Sequence, residues 1–186
     1  FLSGTAELNR QLIAHMRELF PDLPLHVVSD FPPEDPELPW GPYRVNGRLR
    51  ANLARCREAF RGKRIRLAGV LSDRERQAAY QAADVTISPE YDDLLAESTL
   101  ESLAAGTPAL VCARNRSAVE ICRRSGGGLY YGTGEEFVEA LKTLMTQPRL
   151  RHQMGRRGRE YVRQNHRWEA VLGRLERLIM LARGRA

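Results

Sequence analysis

Short apolar runs alternate with helical patterns along most of this chain, and this alternation limits its fold more than any other feature. The runs are typical of buried strands, and we predict strands at 25–29, 64–70, 85–88, 108–112 and 128–131. Before, between and after them, apolar residues recur at helical spacing over 8–20, 48–60, 72–83, 97–105, 118–124 and 135–145. Strands separated by helices form a parallel sheet with both faces covered. The sequence therefore predicts a doubly wound, Rossmann-like α/β fold.

The pattern changes near residue 149. The stretches 150–164 and 168–183 have helical spacing, and no strand pattern follows them. At 186 residues the chain is long enough for one sizeable core. We predict one α/β domain over 1–186, whose helical tail at 149–186 packs on the side of the domain or reaches a partner domain. Because the chain begins with Phe1 rather than Met, we interpret it as a piece of a longer protein.

The charge balance argues against nucleic acid as a partner. The formal net charge is +6, but Arg is scattered over the predicted helices, with Asp and Glu interleaved. No apolar run approaches the roughly 20 residues that a membrane span needs. The three cysteines lack metal-ligand spacing, which indicates reduced thiols in the cytoplasm. A basic stretch in the tail fits either a solvated helix face or peripheral contact with anionic lipid. It comprises Arg149, Arg151, Arg156, Arg157, Arg159 and Arg163.

Four loops follow the carboxyl ends of predicted strands, where connections diverge and helix N-termini present free N–H groups to a ligand. They are the loops at 30–47, 69–72, 89–98 and 113–117. The third, with the helix after it, is the most polar, because five carboxylates and two hydroxyls surround one helix start. These are Glu90, Asp92, Asp93, Glu97, Ser98, Thr99 and Glu101. We therefore place the candidate site at this loop.

Two other interpretations of this helix start stay open. Ser98-x-x-Glu101 has the spacing of a capping box, and the same spacing recurs at 72–75 and 133–136. Some of the acids could instead hold a hard cation, although their spacing lacks the regularity of a calcium loop, so no metal site is predicted. The acids concerned are Asp92, Asp93 and Glu97.

Residues 101–108, Glu-Ser-Leu-Ala-Ala-Gly-Thr-Pro, resemble the LEAMA-GTPVV segment of retaining family-4 glycosyltransferases of the GT-B fold. Further stretches are similar to this family in the same order, at 64–70, 79–85, 118–121, 127–129 and 167–169. The resemblance implies one half of a GT-B fold, the C-terminal domain that binds an NDP-sugar. In a whole enzyme this half would work with an N-terminal acceptor domain or a partner subunit, which this sequence lacks.

The resemblance also implies roles for individual residues. Glu101 would accept hydrogen bonds from the ribose hydroxyls, and Asp93, where the family usually has Glu, would lie near the donor sugar. The nucleobase would meet the backbone at Val70 and Leu71. The diphosphate would meet the helix start, at Ala96, Glu97, Ser98 and Thr99.

The family usually carries an Arg and a Lys near the first strand of this domain, where they neutralise the departing diphosphate. Residues 1–6 contain neither. Arg114 and Arg116 are candidate substitutes, because their loop follows a predicted strand on the ligand side. The resemblance implies no obligatory metal and no other cofactor.

Together these implications predict the donor-binding domain of a retaining hexosyltransferase. It would take a sugar from an NDP-sugar, such as a UDP-sugar, for transfer to an unknown acceptor, and would be inactive alone. We expect it in the cytoplasm, or at a membrane through the full-length enzyme. Two alternatives are half of a sugar-nucleotide epimerase and a degenerate transferase domain that scaffolds a partner.

Overall fold

The computed structural model describes residues 71–91 and 94–183, together with the backbone of two further strands. The strands are β1 (Leu25–Val27), β2 (Ile65–Leu67), β3 (Thr86–Ser88), β4 (Ala109–Cys112) and β5 (Gly128–Tyr131). The helices are α1 (Asp73–Ala82), α2 (Glu97–Ala105), α3 (Arg116–Ser125), α4 (Gly134–Thr146), α5 (Pro148–Asn165) and α6 (Trp168–Arg183). The predicted alternation from β2 to α4 is therefore confirmed. The helices predicted at 8–20 and 48–60, the loop at 30–47, Val70 and Asp93 lie outside the described residues.

The strand pairs in the described part are all parallel. β1 lies beside β2, with Leu25 opposite Ile65. β4 lies between β3 and β5, with Ser88 opposite Val111 and Cys112 opposite Tyr131. Neighbouring parallel strands need a crossover connection, which α2 provides between β3 and β4 and α3 between β4 and β5. The predicted parallel Rossmann-like sheet is confirmed.

The middle strand β4 is buried on both faces. Ala109 and Val111 pack with Leu103 of α2 and Ala118 of α3 in one core cluster. Leu110 points to the opposite face, because side chains alternate along a strand, and it is buried as well. Helices must therefore cover the sheet on both sides. Helix α4 supplies buried side chains at helical spacing, namely Phe137, Leu141 and Leu144.

Helix α5 lies unusually close to the C-terminal end of α2. A methyl group added to Gly155 would overlap the carbonyl oxygen of Gly106, and one added to Gly158 would lie 2.7 Å from Leu103 Cδ2. Arg159 donates a hydrogen bond to the last carbonyl of α2. These contacts fix one end of the helix whose other end begins at the candidate site.

Helix α6 differs from α5, because none of its residues is buried. Trp168 is 75% exposed and Leu178 is 63% exposed, although their spacing places them on one apolar face. The members of this face are Trp168, Val171, Leu172, Leu175, Leu178 and Ile179. The predicted tail thus divides into a packed helix and one with an uncovered apolar face. Among the helices that the structure describes, none is long and apolar enough to cross a membrane.

Candidate functional site

Two loops meet at the carboxyl edge of the sheet. One leaves β3 after Ser88 and the other leaves β4 after Cys112, and these strands are neighbours in register. The guanidinium of Arg114 in the second loop lies over the ring of Tyr91 in the first, 4.6 Å from its centroid. A cation–π contact of this kind at an exposed position contributes about 0.5–1 kcal/mol. It places a positive charge beside the most polar loop of the chain.

Helix α2 begins without a side-chain cap. The N-cap residue is Ala96, whose backbone is left-handed with φ 50° and ψ 41°, and it forms no side-chain cap hydrogen bond. The first helical hydrogen bond runs from the N–H of Leu100 to the carbonyl of Ala96. A left-handed alanine costs roughly 1–2 kcal/mol, and such strain is concentrated at functional sites. An uncapped helix start attracts anions, because its first N–H groups and the helix dipole both favour negative charge.

The capping-box interpretation of Ser98 and Glu101 is wrong. Because α2 begins at Glu97, Ser98 lies inside its first turn, where its hydroxyl is 3.5 Å from the hydroxyl of Ser88. Glu101 instead contacts α1. The two other motifs with this spacing, at 72–75 and 133–136, do form complete capping boxes.

This difference gives a stability prediction. Ser72→Ala removes a real N-cap and is expected to lower the free energy of unfolding by about 1 kcal/mol. Ser98→Ala removes a hydroxyl that caps nothing, so its cost should be well under half of that. Urea unfolding of the two variants beside the parent chain checks this. Equal losses would mean that Ser98 caps α2 in solution.

The hydroxyl of Thr99 also lies at the start of α2. Thr99 is 1% exposed, and its Oγ1 is the one buried side-chain oxygen or nitrogen in the described part that has no hydrogen-bond partner. An unpaired buried hydroxyl costs about 1–3 kcal/mol, so its presence at a helix start is informative. The first turn of α2 thus contains a hydroxyl whose hydrogen-bonding capacity is unused.

Glu101 lies one turn further along α2, and its side chain is held by two residues of α1. Arg76 Nη2 lies 2.9 Å from Glu101 Oε1, and Tyr80 is hydrogen-bonded to the same carboxylate through its side chain. Burial, followed by the negative charge of Glu101, raises the pKa of Tyr80 far above its ordinary value. Burial opposes the charge on Arg76, but the hydrogen bond and charge of Glu101 outweigh it and raise the pKa of Arg76. Arg76 and Tyr80 were not candidates from the sequence, because nothing local connects them to Glu101.

The remaining candidates occupy several positions around these loops. Arg116 is exposed at the first position of α3, and Leu71 is half-buried just before α1. The sequence-based candidates also omitted Asn115. Its buried side chain accepts a hydrogen bond from the N–H of Ala118 at 3.0 Å and so fixes the loop that carries Arg114. An Asn just before a helix is an N-cap signal that could have identified it.

The titratable groups of the described residues show little that resembles a metal or nucleophile site. Over residues 71–91 and 94–183, no three His, Cys, Asp or Glu side chains come together as a metal cluster. Burial raises the pKa of the Cys122 thiol to about 12, so this cysteine is not a nucleophile at neutral pH. The site therefore offers an anion-attracting helix start, a carboxylate and a nearby guanidinium.

The sequence matches the family model described as "Glycosyl transferase-like" over residues 7–177. It is 35% identical over 116 residues to the "GDP-mannose-dependent alpha-(1-6)-phosphatidylinositol dimannoside mannosyltransferase" of Mycobacterium tuberculosis, a match that covers 61% of this chain and 29% of that protein. It is also 35% identical over 60 residues to "Glycosyltransferase 1 domain-containing protein 1" of Xenopus tropicalis, covering 32% of this chain and 17% of that protein. The chain thus spans under a third of the length of either relative.

The fold is similar to that of a sucrose-phosphate synthase from Thermosynechococcus elongatus. The TM-score is 0.74 at 23% sequence identity, and the match covers 97% of this chain and 45% of that one. At this identity the likeness establishes the fold alone. It confirms the Rossmann-like half of a GT-B fold that the sequence predicts.

Proposed function

Because this chain belongs to the Glycosyl transferase-like family, we propose that it binds the nucleotide-sugar donor of a retaining glycosyltransferase. One observation carries this proposal. The uncapped start of α2, at Glu97, and the carboxylate of Glu101 lie on the same helix, and the two positions are four residues apart. At about 1.5 Å of rise per residue, this separates an anion site from a hydroxyl-accepting site by about 6 Å, which a nucleoside diphosphate can span.

We propose the following roles for the groups at the site. The diphosphate lies at the start of α2, where the backbone N–H groups and the hydroxyls of Ser98 and Thr99 can donate to it. The carboxylate of Glu101 accepts hydrogen bonds from the ribose hydroxyls. Asp93 lies near the donor sugar, and the base lies against the backbone at 70–71. These last three assignments rest on the family resemblance.

Arg114 is the proposed cation for the leaving diphosphate. Transfer builds negative charge on the departing phosphate, and a fixed positive charge beside it stabilises the transition state. Arg114 is suited to this role, because its guanidinium is already held over Tyr91 in the loop that leads to α2. Arg116, exposed at the start of α3, can add a second charge. With these donors we expect binding to need no divalent cation.

A second domain or subunit is proposed to hold the acceptor. Transfer requires the acceptor hydroxyl to be aligned with the donor sugar in a cleft, and the chain spans only 45% of the synthase that shares its fold. The uncovered apolar face of α6 supports such a contact, since a helix with this face exposed is normally packed against another surface.

Ligand-dependent melting tests this function. UDP-, GDP- and ADP-sugars and the free diphosphates are compared, each with and without EDTA. A ligand at a hundred times its Kd should stabilise the chain by about 2.7 kcal/mol, which raises Tm by roughly 5–10 °C, and EDTA should not abolish the effect.

Two further measurements separate the alternatives. If no nucleotide or nucleotide sugar stabilises the chain, the proposal fails and the scaffold alternative is favoured. If one does, product analysis with the isolated chain should show neither transfer nor epimerisation. Transfer by the isolated chain would contradict the need for a second domain, and an epimerised sugar would favour the epimerase alternative.

A further inference from the structure

The carboxylate of Glu101 is held from a different helix than the one that carries it. Arg76 Nη2 in α1 lies 2.9 Å from Glu101 Oε1 and also 2.9 Å from Asp73 Oδ1. Several other ion pairs in the described part join residues three or four apart on one helix, such as Arg163 with Glu160. The Arg76–Glu101 pair instead joins residues 25 apart and links α1 to α2. It therefore restricts where the Glu101 side chain can point.

The network includes one buried member, although the Arg76–Glu101 pair itself is partly exposed. The side chain of Arg76 is 36% exposed and that of Glu101 is 40% exposed, whereas that of Asp73 is 94% exposed. The third member, Tyr80, is only 2% exposed, and its side chain is hydrogen-bonded to Glu101. Because Tyr80 is fixed in the core, its hydroxyl is a stationary partner for the carboxylate. Glu101 is thus oriented before any ligand arrives.

The acceptor capacity of the carboxylate matches what a ribose ring needs. A carboxylate has about four lone-pair positions on its two oxygens. Arg76 occupies one of them on Oε1 and Tyr80 a second, which leaves about two. The two neighbouring hydroxyls of a ribose are donors, and their hydrogen bonds would occupy the two remaining lone-pair positions. A carboxylate that is already oriented also loses less side-chain entropy on binding than a freely rotating one.

We propose that Arg76 is a positioning residue. It holds the Glu101 carboxylate in the orientation in which it accepts hydrogen bonds from the 2′- and 3′-hydroxyls of the donor ribose. The inference rests on the proposed function, because it assumes that a nucleotide binds at the start of α2. It goes further in assigning to α1 the discrimination between ribose and deoxyribose. The positive charge of Arg76 also offsets the repulsion between Glu101 and a diphosphate bound nearby.

The test measures the ratio of affinities for a ribonucleotide and its deoxy counterpart by calorimetry. The probes are UDP with 2′-deoxy-UDP, GDP with 2′-deoxy-GDP, and ADP with 2′-deoxy-ADP. For the base that binds, the parent chain should prefer the ribonucleotide by on the order of tenfold. Arg76→Met should reduce this preference to about twofold. A purely structural role would lower Tm and leave the ratio unchanged.

Two further variants keep the test interpretable. Arg151→Met breaks another ion pair between residues far apart in sequence, in which Arg151 Nη2 lies 2.8 Å from Asp84 Oδ1. Asp84 lies just before the amino end of β3, away from the site. Arg151→Met should lower Tm but keep the tenfold ratio. Tyr80→Phe removes one donor to Glu101 and keeps the aromatic core, so it should lower the ratio even if Arg76→Met does not fold.

The possible failures are distinguishable. If the parent chain binds none of the nucleotides, the proposed function fails and this inference fails with it. If it binds both forms equally, Glu101 does not contact the ribose and the inference is overturned. If it prefers ribose and both Arg76→Met and Tyr80→Phe retain the full ratio, the proposed function survives and the positioning role of α1 is wrong.

Discussion

Replacement of Glu101 by Gln is expected to lower the affinity of this chain for a nucleoside diphosphate by about ten- to a hundredfold. Hydrogen bonds from hydroxyls to a charged carboxylate contribute about 1.5–3 kcal/mol, and the neutral amide of Gln keeps the shape but loses that strength. The effect on folding should be smaller. The Arg76–Glu101 pair is partly exposed, and such pairs contribute about 0–1 kcal/mol to stability.

Isothermal calorimetry checks this prediction, with Glu139→Gln as the matched control. Glu139→Gln makes the same change of charge and shape on α4. The Glu139 side chain is 77% exposed there, and its Oε1 lies 3.8 Å from Lys142 Nζ. The control should bind nucleotide as the parent does. Unchanged affinity in Glu101→Gln would remove Glu101 from the binding site.

Replacement of Gly155 by Ala should destabilise the fold by about 2 kcal/mol, although alanine is the better helix former. Local propensity favours Ala by about 1 kcal/mol in a helix interior. The added methyl group, however, would overlap the carbonyl oxygen of Gly106, and a backbone atom cannot rotate away. Overpacking of this kind costs about 1–3 kcal/mol and sometimes more, so the clash outweighs the propensity.

The same substitution at Gly173 isolates the local term. Gly173 lies in α6, and nothing lies within 4 Å of the position that a Cβ would occupy. Gly173→Ala should therefore raise stability by about 0.5–1 kcal/mol. Thermal unfolding should show Tm lowered by roughly 4–8 °C in Gly155→Ala and raised by a few degrees in Gly173→Ala. Similar Tm values for the two variants would mean that α5 does not approach α2 as closely as the structure places it.

Most elements between 71 and 183 were predictable from the sequence, because their signals are local. The helix predicted at 72–83 is α1, with Ser72 as its cap, and the strand predicted at 128–131 is β5. The helix predicted at 118–124 begins earlier, at Arg116. The side chain of Asn115 caps α3, so the helix begins directly after it. Hydrophobic spacing alone does not show these first two helical residues.

The position of the candidate loop in the fold was predictable from the sequence. The order of strands and helices places the ligand-binding edge of a parallel sheet, so residues 89–98 and the loop after β4 could be chosen in advance. The contact between Arg114 and Tyr91 agrees with that choice. The roles of all the candidate site residues stay predictions.

The spacing Ser-x-x-Glu shows where sequence reasoning stops. It forms capping boxes at 72–75 and 133–136, but not at 98–101, and no local difference in the motif explains this. Only in the folded chain does Ala96 adopt a left-handed backbone, so that α2 begins one residue before Ser98.

The sequence alone thus determined the family, the parallel α/β fold and the loop at its carboxyl edge, since periodicity, caps and a shared motif are properties of neighbouring residues. Only the tertiary structure decided what Glu101 contacts. One partner on α1, Arg76, lies 25 residues away in the sequence. The other, Tyr80, is buried in the core. Packing of α1 against α2 brings these side chains together, and no local pattern records that distance.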